Sequence, residues 1–329
     1  MISVKELTKK YARNMAVDHI SFEVQKGEIV GFLGPNGAGK TTTMRMLTCF
    51  LPPTAGTASV AGFDVLEQPL EVKRRVGYLP EAPPLYPEMD TVEYLTFVGR
   101  LKGLAGADLR KRIDYVCERC AIRDVQEKLL GRLSKGYRQR VGLAQAIIHN
   151  PEVLILDEPT AGLDPKQINE TRELIRSFAG GHTIILSTHI LTEVEQTCQK
   201  VIIINKGKLV ATDSVHNLQS RARGAELVLV EVAGRDGKLD SDRVQRRLEQ
   251  IAGVNRVLLK GSRENRHTFE VESRRGFARG DLARCVVESG WELNELRPAS
   301  MSLEEIFLQL TGEEMPSEAR KAAAKGAPE

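Results

Sequence analysis

Gly34-Pro35-Asn36-Gly37-Ala38-Gly39-Lys40-Thr41-Thr42 has the residue types and spacing that hold a triphosphate, and it decides how the rest of the chain is read. The preceding Glu28 to Leu33 reads as a buried strand and the following Thr41 to Cys49 as a helix, so the loop lies where a strand feeds a helix N-terminus. Glycines at 34, 37 and 39 let the backbone turn its N–H groups inward as an anion-binding nest, and the helix dipole adds its positive end. Lys40 then reaches the β- and γ-phosphates, Thr41 is placed to ligate Mg²⁺, and Thr42 backs the α- and β-phosphates.

Composition bounds the rest. At 329 residues the chain exceeds one ordinary core, so a large domain with a smaller one is expected. Charged residues make up 28% of it with a net charge of only +3, so no nucleic-acid partner is expected. No apolar run is long enough to cross a bilayer, and the start lacks the apolar centre of a signal peptide, which predicts a cytoplasmic chain. Five scattered cysteines make no disulfide framework; Cys117 and Cys120 fall at helical spacing with Leu109, Ile113 and Val116 and read as core.

Residues 2–7 and 16–24 alternate as antiparallel strands, with Tyr11 in the connection between them, where it either packs or stacks on a base. Val76 to Glu81 reads as a strand ending in Glu81. The prolines of Ala82 to Pro87 stiffen the next loop, which is either a docking surface or a connector. Helical periodicity then fills about 91–133. Ser134 is placed to cap a helix running to His149, whose start again suits phosphate.

Val153-Leu154-Ile155-Leu156-Asp157-Glu158 is a buried parallel-type strand ending in two carboxylates, where ligands of an open α/β sheet sit. There Asp157 is expected to hold Mg²⁺, directly or through water, and Glu158 to polarise the attacking water, the alternative being a solvated acidic pair that caps the strand. Thr183 to His189 is a second such strand, bringing His189 to the same edge, and 201–211 reads as a terminal hairpin. The periodicity restarts near 220–225. Strands and helices over 225–312 follow a βαββαβ order, which predicts a small α+β ferredoxin-like domain closed by a helix over Ser302 to Thr311, and 313–329 reads as a disordered tail.

Tyr11, the phosphate loop, Glu81, Leu133-Ser134-Lys135-Gly136-Tyr137, Asp157-Glu158-Pro159-Thr160, Asp164 and His189 stand in an order that resembles the ATP-binding subunit of ABC transporters, over residues 1 to about 220. The resemblance implies a P-loop NTPase of ABC type, a mixed sheet with a helical insertion. Tyr11 looks like the adenine-stacking aromatic, Lys40 and Thr41 like phosphate and Mg²⁺ ligands, Asp157 like a second metal ligand and Glu158 like the catalytic base. Asp164 looks like the dimer-communication residue and His189 like the switch histidine. Two copies are expected to sandwich ATP, with Ser134, Lys135 and Gly136 meeting the nucleotide of the opposite copy, and to drive separate transmembrane permease subunits from the inner face of the membrane.

Two departures stand out: the signature has Lys135 and Tyr137 where the family's commonest form has glycine and glutamine, and Glu81 stands where a glutamine is usual. The run around Tyr78 to Tyr86, with the C-terminal extension, looks most like exporter-type, gliding-associated and drug-resistance-like ATPases. The rival readings are a soluble ABC ATPase acting on a ribosome or DNA, and a small-molecule kinase. The single cassette with a short insertion argues against the first, and Glu158 with the signature argues against the second.

Overall fold

The computed structural model describes residues 1–221, 225–234, 239–263, 265–274, 277, 279–299, 304 and 306–308. Its contacts divide the chain into two compact units, Met1–Val215 and His216–Gln309, against an expected step near 220–225.

The first unit opens with β1 (Ile2–Tyr11) and β2 (Asn14–Val24), and β3 (Ile29–Leu33) leads into α1 (Lys40–Leu47). There follow β4 (Ala55–Val60), β5 (Phe63–Asp64), α2 (Pro69–Arg75) and β6 (Val76–Leu79). The helical insertion comprises α3 (Thr91–Leu101) and α4 (Gly106–Arg119); α5 (Lys135–Ile147), β7 (Val153–Asp157), α6 (Pro165–Ser177), β8 (Thr183–Thr188), α7 (Leu191–Thr197), β9 (Lys200–Asn205) and β10 (Lys208–Ser214) follow, and α8 (Val215–Arg221) runs from the last residue of this unit into the second.

One sheet is antiparallel in the order β2-β1-β4-β5, and the other is mixed, in the order β10-β9-β3-β8-β7-β6. In the second, β3 runs parallel to β8 and β9, and β7 parallel to β6 and β8, while β10 turns back on β9. Every residue of β3, β7 and β8 is buried, as covering on both faces requires. Apolar residues alone can fill such strands, so their polar residues are pushed to the ends: Asp157 closes β7, and Ser187 and Thr188 close β8.

The helix starts are set by side chains. Asp90 and Glu93 form a reciprocal capping box on α3, Ser134 accepts from the Tyr137 N–H at the head of α5, and Asp164 accepts from the Gln167 N–H at the head of α6. Cys117 and Cys120 are both buried, as their helical spacing requires.

Three local readings differ. Tyr11 is the last residue of β1, paired with Asn14, and not part of a loop. Register shifts between Val4 and Leu7 and between Leu7 and Lys9 break the alternation and hide the strand's continuation. β6 stops at Leu79, because Pro80 has no N–H to extend the ladder, so Glu81 lies beyond the strand. The two-residue β5 and the short α2 carry no sequence period to be read.

The second unit contains β11 (Ala225–Ala233), α9 (Ser241–Glu249), β12 (Val254–Arg263), β13 (Arg266–Arg274), α10 (Arg279–Glu288) and β14 (Glu292–Ala299). Its antiparallel sheet has the order β12-β13-β11-β14, and Val228, Val230, Phe269, Val271, Val244, Leu248, Leu282 and Val286 form its core. Of the closing helix, residues 304 and 306–308 are described and helical; the tail expected at 313–329 lies outside the described residues.

Candidate functional site

A cleft of about 830 Å³ opens at the carboxyl edge of the mixed sheet, lined among others by Tyr11, Asn36, Gly37, Gly39, Lys40, Thr41, Thr42, Glu81, Glu158 and His189. Its floor follows from backbone chemistry. Gly37 and Gly39 have φ of 80° and 106°, the left-handed region that costs an L side chain, and a Cβ on Gly39 would come within 2.5 Å of the Ala16 carbonyl oxygen. Gly34 is equally confined, since a Cβ there would meet the Ile204 carbonyl oxygen at 2.3 Å. The Ala38 N–H closes the turn on the Pro35 carbonyl at 3.2 Å. No side chain caps α1, so its first-turn N–H groups are left to a ligand.

Lys40 is only 5% exposed, and its ammonium donates to the Gly34 and Pro35 carbonyls at 2.8 and 3.2 Å. The same ammonium stands 3.1 Å from Glu158 Oε1. Burial of this pair is tolerable only because each partner neutralises the other.

Asp157 accepts from Thr41 Oγ1 at 3.3 Å and from Ser187 Oγ, both on its Oδ1 atom. Burial pushes its carboxyl above the usual carboxylate value, against those two hydrogen bonds. The other oxygen, Oδ2, is buried without a hydrogen-bond partner among the described residues. A buried carboxylate oxygen left unpaired beside a threonine hydroxyl fits a hard divalent cation, the ligand chemistry of Mg²⁺.

Glu158 is held in a left-handed conformation with φ of 48°. Its N–H donates to the Ser187 carbonyl and hydroxyl oxygens, both at 3.1 Å. His189 Nδ1 lies 2.8 Å from Glu158 Oε2. Burial alone would raise the Glu158 carboxyl, but the His189 hydrogen bond and the Lys40 charge hold it below its ordinary value. His189 is raised by its bond to Glu158, against burial. The cleft thus holds a cation, an ionised carboxylate and an imidazole in one hydrogen-bonded row.

Tyr11 is 44% exposed on the cleft wall with Lys9 Nζ 5.4 Å from its ring centroid. Glu81 reaches the cleft from beyond the end of β6. Ser134, Lys135, Gly136 and Asp164 are not among the residues lining it. They form a separate assembly, in which a Cβ on Gly136 would meet the Gln167 side chain at 2.8 Å and one on Gly162 would meet Lys135 Nζ at 2.1 Å. Sequence reasoning passed over Ser187 and Glu193, polar groups behind the cleft with nothing in their local pattern to mark them.

A glycine-walled helix N-terminus, a buried lysine and an acidic strand end on a mainly parallel sheet define a P-loop nucleoside triphosphatase. The family model for ABC transporters matches residues 17–161, and one for an AAA domain (putative AbiEii toxin, Type IV TA system) matches 129–195. Over 324 residues the chain is 36% identical to the bacitracin transport ATP-binding protein BcrA of Bacillus licheniformis, covering 95% of this chain and 97% of that protein. Over 319 residues it is 33% identical to the daunorubicin resistance ATP-binding protein DrrA3 of Streptomyces coeruleorubidus, covering 95% and 96%. A solved ATP binding subunit of an ABC transporter superposes with a TM-score of 0.62 at 29% identity, over 68% of this chain and 93% of that one. The chain belongs to the ABC transporter family as an ATP-binding subunit, and it is an ATPase.

Proposed function

We propose that this chain is the motor of an exporter: two copies close on ATP and Mg²⁺, hydrolyse it, and drive separate transmembrane permease subunits. The observation that carries the reading is the row Lys40–Glu158–His189 beside the unpaired Asp157 Oδ2. Tyr11 offers its ring to adenine, and the loop from Gly34 through Ala38 to Thr42 cradles the phosphates. Thr41, Asp157 and Glu81 are the residues that would hold Mg²⁺, which when bound would neutralise phosphate charge.

Glu158 accepts the proton of the attacking water and His189 fixes the orientation of its carboxylate. Lys40 couples binding to this step. When its ammonium turns to the phosphates, Glu158 gives up a stabilising charge, and its proton affinity rises toward that of a working base.

Ser134, Lys135 and Gly136 head α5 away from their own cleft, which suits contact with the nucleotide of a second copy, and Asp164 heads the helix packed beside them. No helix among the described residues is long and apolar enough to cross a membrane. In this reading the chain attaches to the cytoplasmic face of a membrane through the permease. Tyr86, 44% exposed and edge-on to Tyr94 and Phe97, stands on the proline-stiffened loop beyond Glu81 and suits a permease contact. The names of BcrA and DrrA3, concerned with bacitracin transport and daunorubicin resistance, support export.

Glu158→Gln keeps shape and loses the proton acceptor, so it is expected to bind ATP while kcat falls about 10²- to 10⁴-fold. Wild-type turnover from this variant would remove Glu158 as the base. A chain that purifies from membranes without any polytopic partner would remove the motor role.

A further inference from the structure

Behind the cleft, Glu193 in the first turn of α7 is 1% exposed, a carboxylate among buried groups with no cation in hydrogen-bond contact among the described residues. Its two oxygens are divided between a loop and a strand end. Oε1 accepts from Thr160 Oγ1, and Oε2 accepts from Thr188 Oγ1 at 2.7 Å. Thr160 stands two residues after Glu158, and Thr188 immediately precedes His189. Thr188 Oγ1 also accepts the Ile190 N–H at 3.0 Å, so the turn past His189 is fixed from both sides.

We propose that Glu193 is a positioning residue for ATP hydrolysis, its carboxylate tying the loop that carries Glu158 to the strand end that carries His189. The inference rests on the reading of Glu158 and His189 above. Upstream, Ser187 already bridges the same two segments, through its hydroxyl to Asp157 and its oxygens to the Glu158 N–H. Glu193 supplies the downstream bridge. The two together bracket the left-handed Glu158, a conformation that persists only where the surroundings over-determine it.

Stability is a weak reason for a carboxylate here. Burial raises its carboxyl above the ordinary value against both threonine bonds, and an apolar residue would fill the space at lower cost. What an apolar residue cannot do is accept from two hydroxyls on two different elements at once.

The test is steady-state kinetics of the full chain. Glu193→Ala is expected to lower kcat about 10- to 100-fold, as sub-ångström misplacement of reacting groups does, with KM for ATP changed by less than about 2-fold. Glu193→Gln, which keeps one acceptor, falls between the two. In a His189→Ala background, Glu193→Ala is expected to cost less than it does alone, because only the Glu158 loop then remains to be positioned. Should Glu193→Ala fail to fold, Thr160→Val removes one bond and is expected to lower kcat with KM unchanged.

Wild-type kcat in Glu193→Gln and Thr160→Val, or full additivity with His189→Ala, overturns the inference. Glu158→Gln measured alongside separates the two failures: an inactive Glu158→Gln with a fully active Glu193→Gln sinks only the positioning role, whereas an active Glu158→Gln sinks the reading beneath it.

Discussion

Two helices of the first unit begin in glycine-, lysine- and hydroxyl-bearing sequence, α1 at Lys40 and α5 at Lys135, and they are finished to different degrees. At α1 the lysine is buried, and its ammonium is engaged by two carbonyls and by Glu158. At α5, Ser134 caps the Tyr137 N–H at 3.4 Å, and the Lys135 ammonium rests against Gly162 with no hydrogen-bond or ion-pair partner among the described residues. Behind it α5 is fastened to α6 by Arg140 on Glu170 and by the close approach of Gly136 to Gln167. One helix start has its lysine partnered within the chain. The other is a rigid, cationic surface of the kind that a second copy's bound phosphate would complete.

The contrast breaks most sharply at Lys40. Lys40→Ala removes a buried charge from the phosphate nest, and ATP affinity in an equilibrium titration is expected to fall at least about 100-fold. Unchanged affinity would mean that α1 does not hold the phosphates. Lys135→Glu should leave ATP affinity of the single copy within about 2-fold and lower steady-state turnover about 10-fold, because the altered charge meets only the opposite copy's phosphate. An equal loss of affinity would place Lys135 in its own cleft.

The smallest effect is one of stability. His189 is raised above its ordinary 6.5 and Glu158 held below its ordinary 4.5. The histidine's contribution is fully present below 6.5 and is lost as pH rises through its raised value; the glutamate's is present above 4.5 and is lost as pH falls through its lowered value. The Tm difference between wild type and His189→Ala should therefore be larger at about pH 5.5 than at about pH 9. A difference independent of pH would deny the ion pair.

Legibility followed burial and period. The strand from Val153 to Asp157 was readable because a strand covered on both faces must be a run of apolar residues, and the carboxylates at its end needed no distant partner to be seen. α2 was not, since Val72 is its one buried residue and seven residues with a single inward side chain have no period. Glu193 was invisible for another reason. In Leu191 to Thr197 it reads as one of two glutamates on a short polar helix, and the role proposed for it needs Thr188 and also Thr160, 33 residues away, brought beside it by the pairing of β7 with β8. Tyr11 lines the cleft from the end of a strand and not from a connection, because bulges mask the strand that carries it.

The account stands on the claim that α5 completes the cleft of a second copy. Sedimentation of Glu158→Gln with saturating ATP and Mg²⁺, alone and combined with Lys135→Glu, tests it most directly. The expected result is a dimer for Glu158→Gln that dissociates when nucleotide is removed, and a nucleotide-bound monomer for the double variant. A Glu158→Gln protein that binds ATP and stays monomeric, or a dimer indifferent to Lys135→Glu, would contradict it.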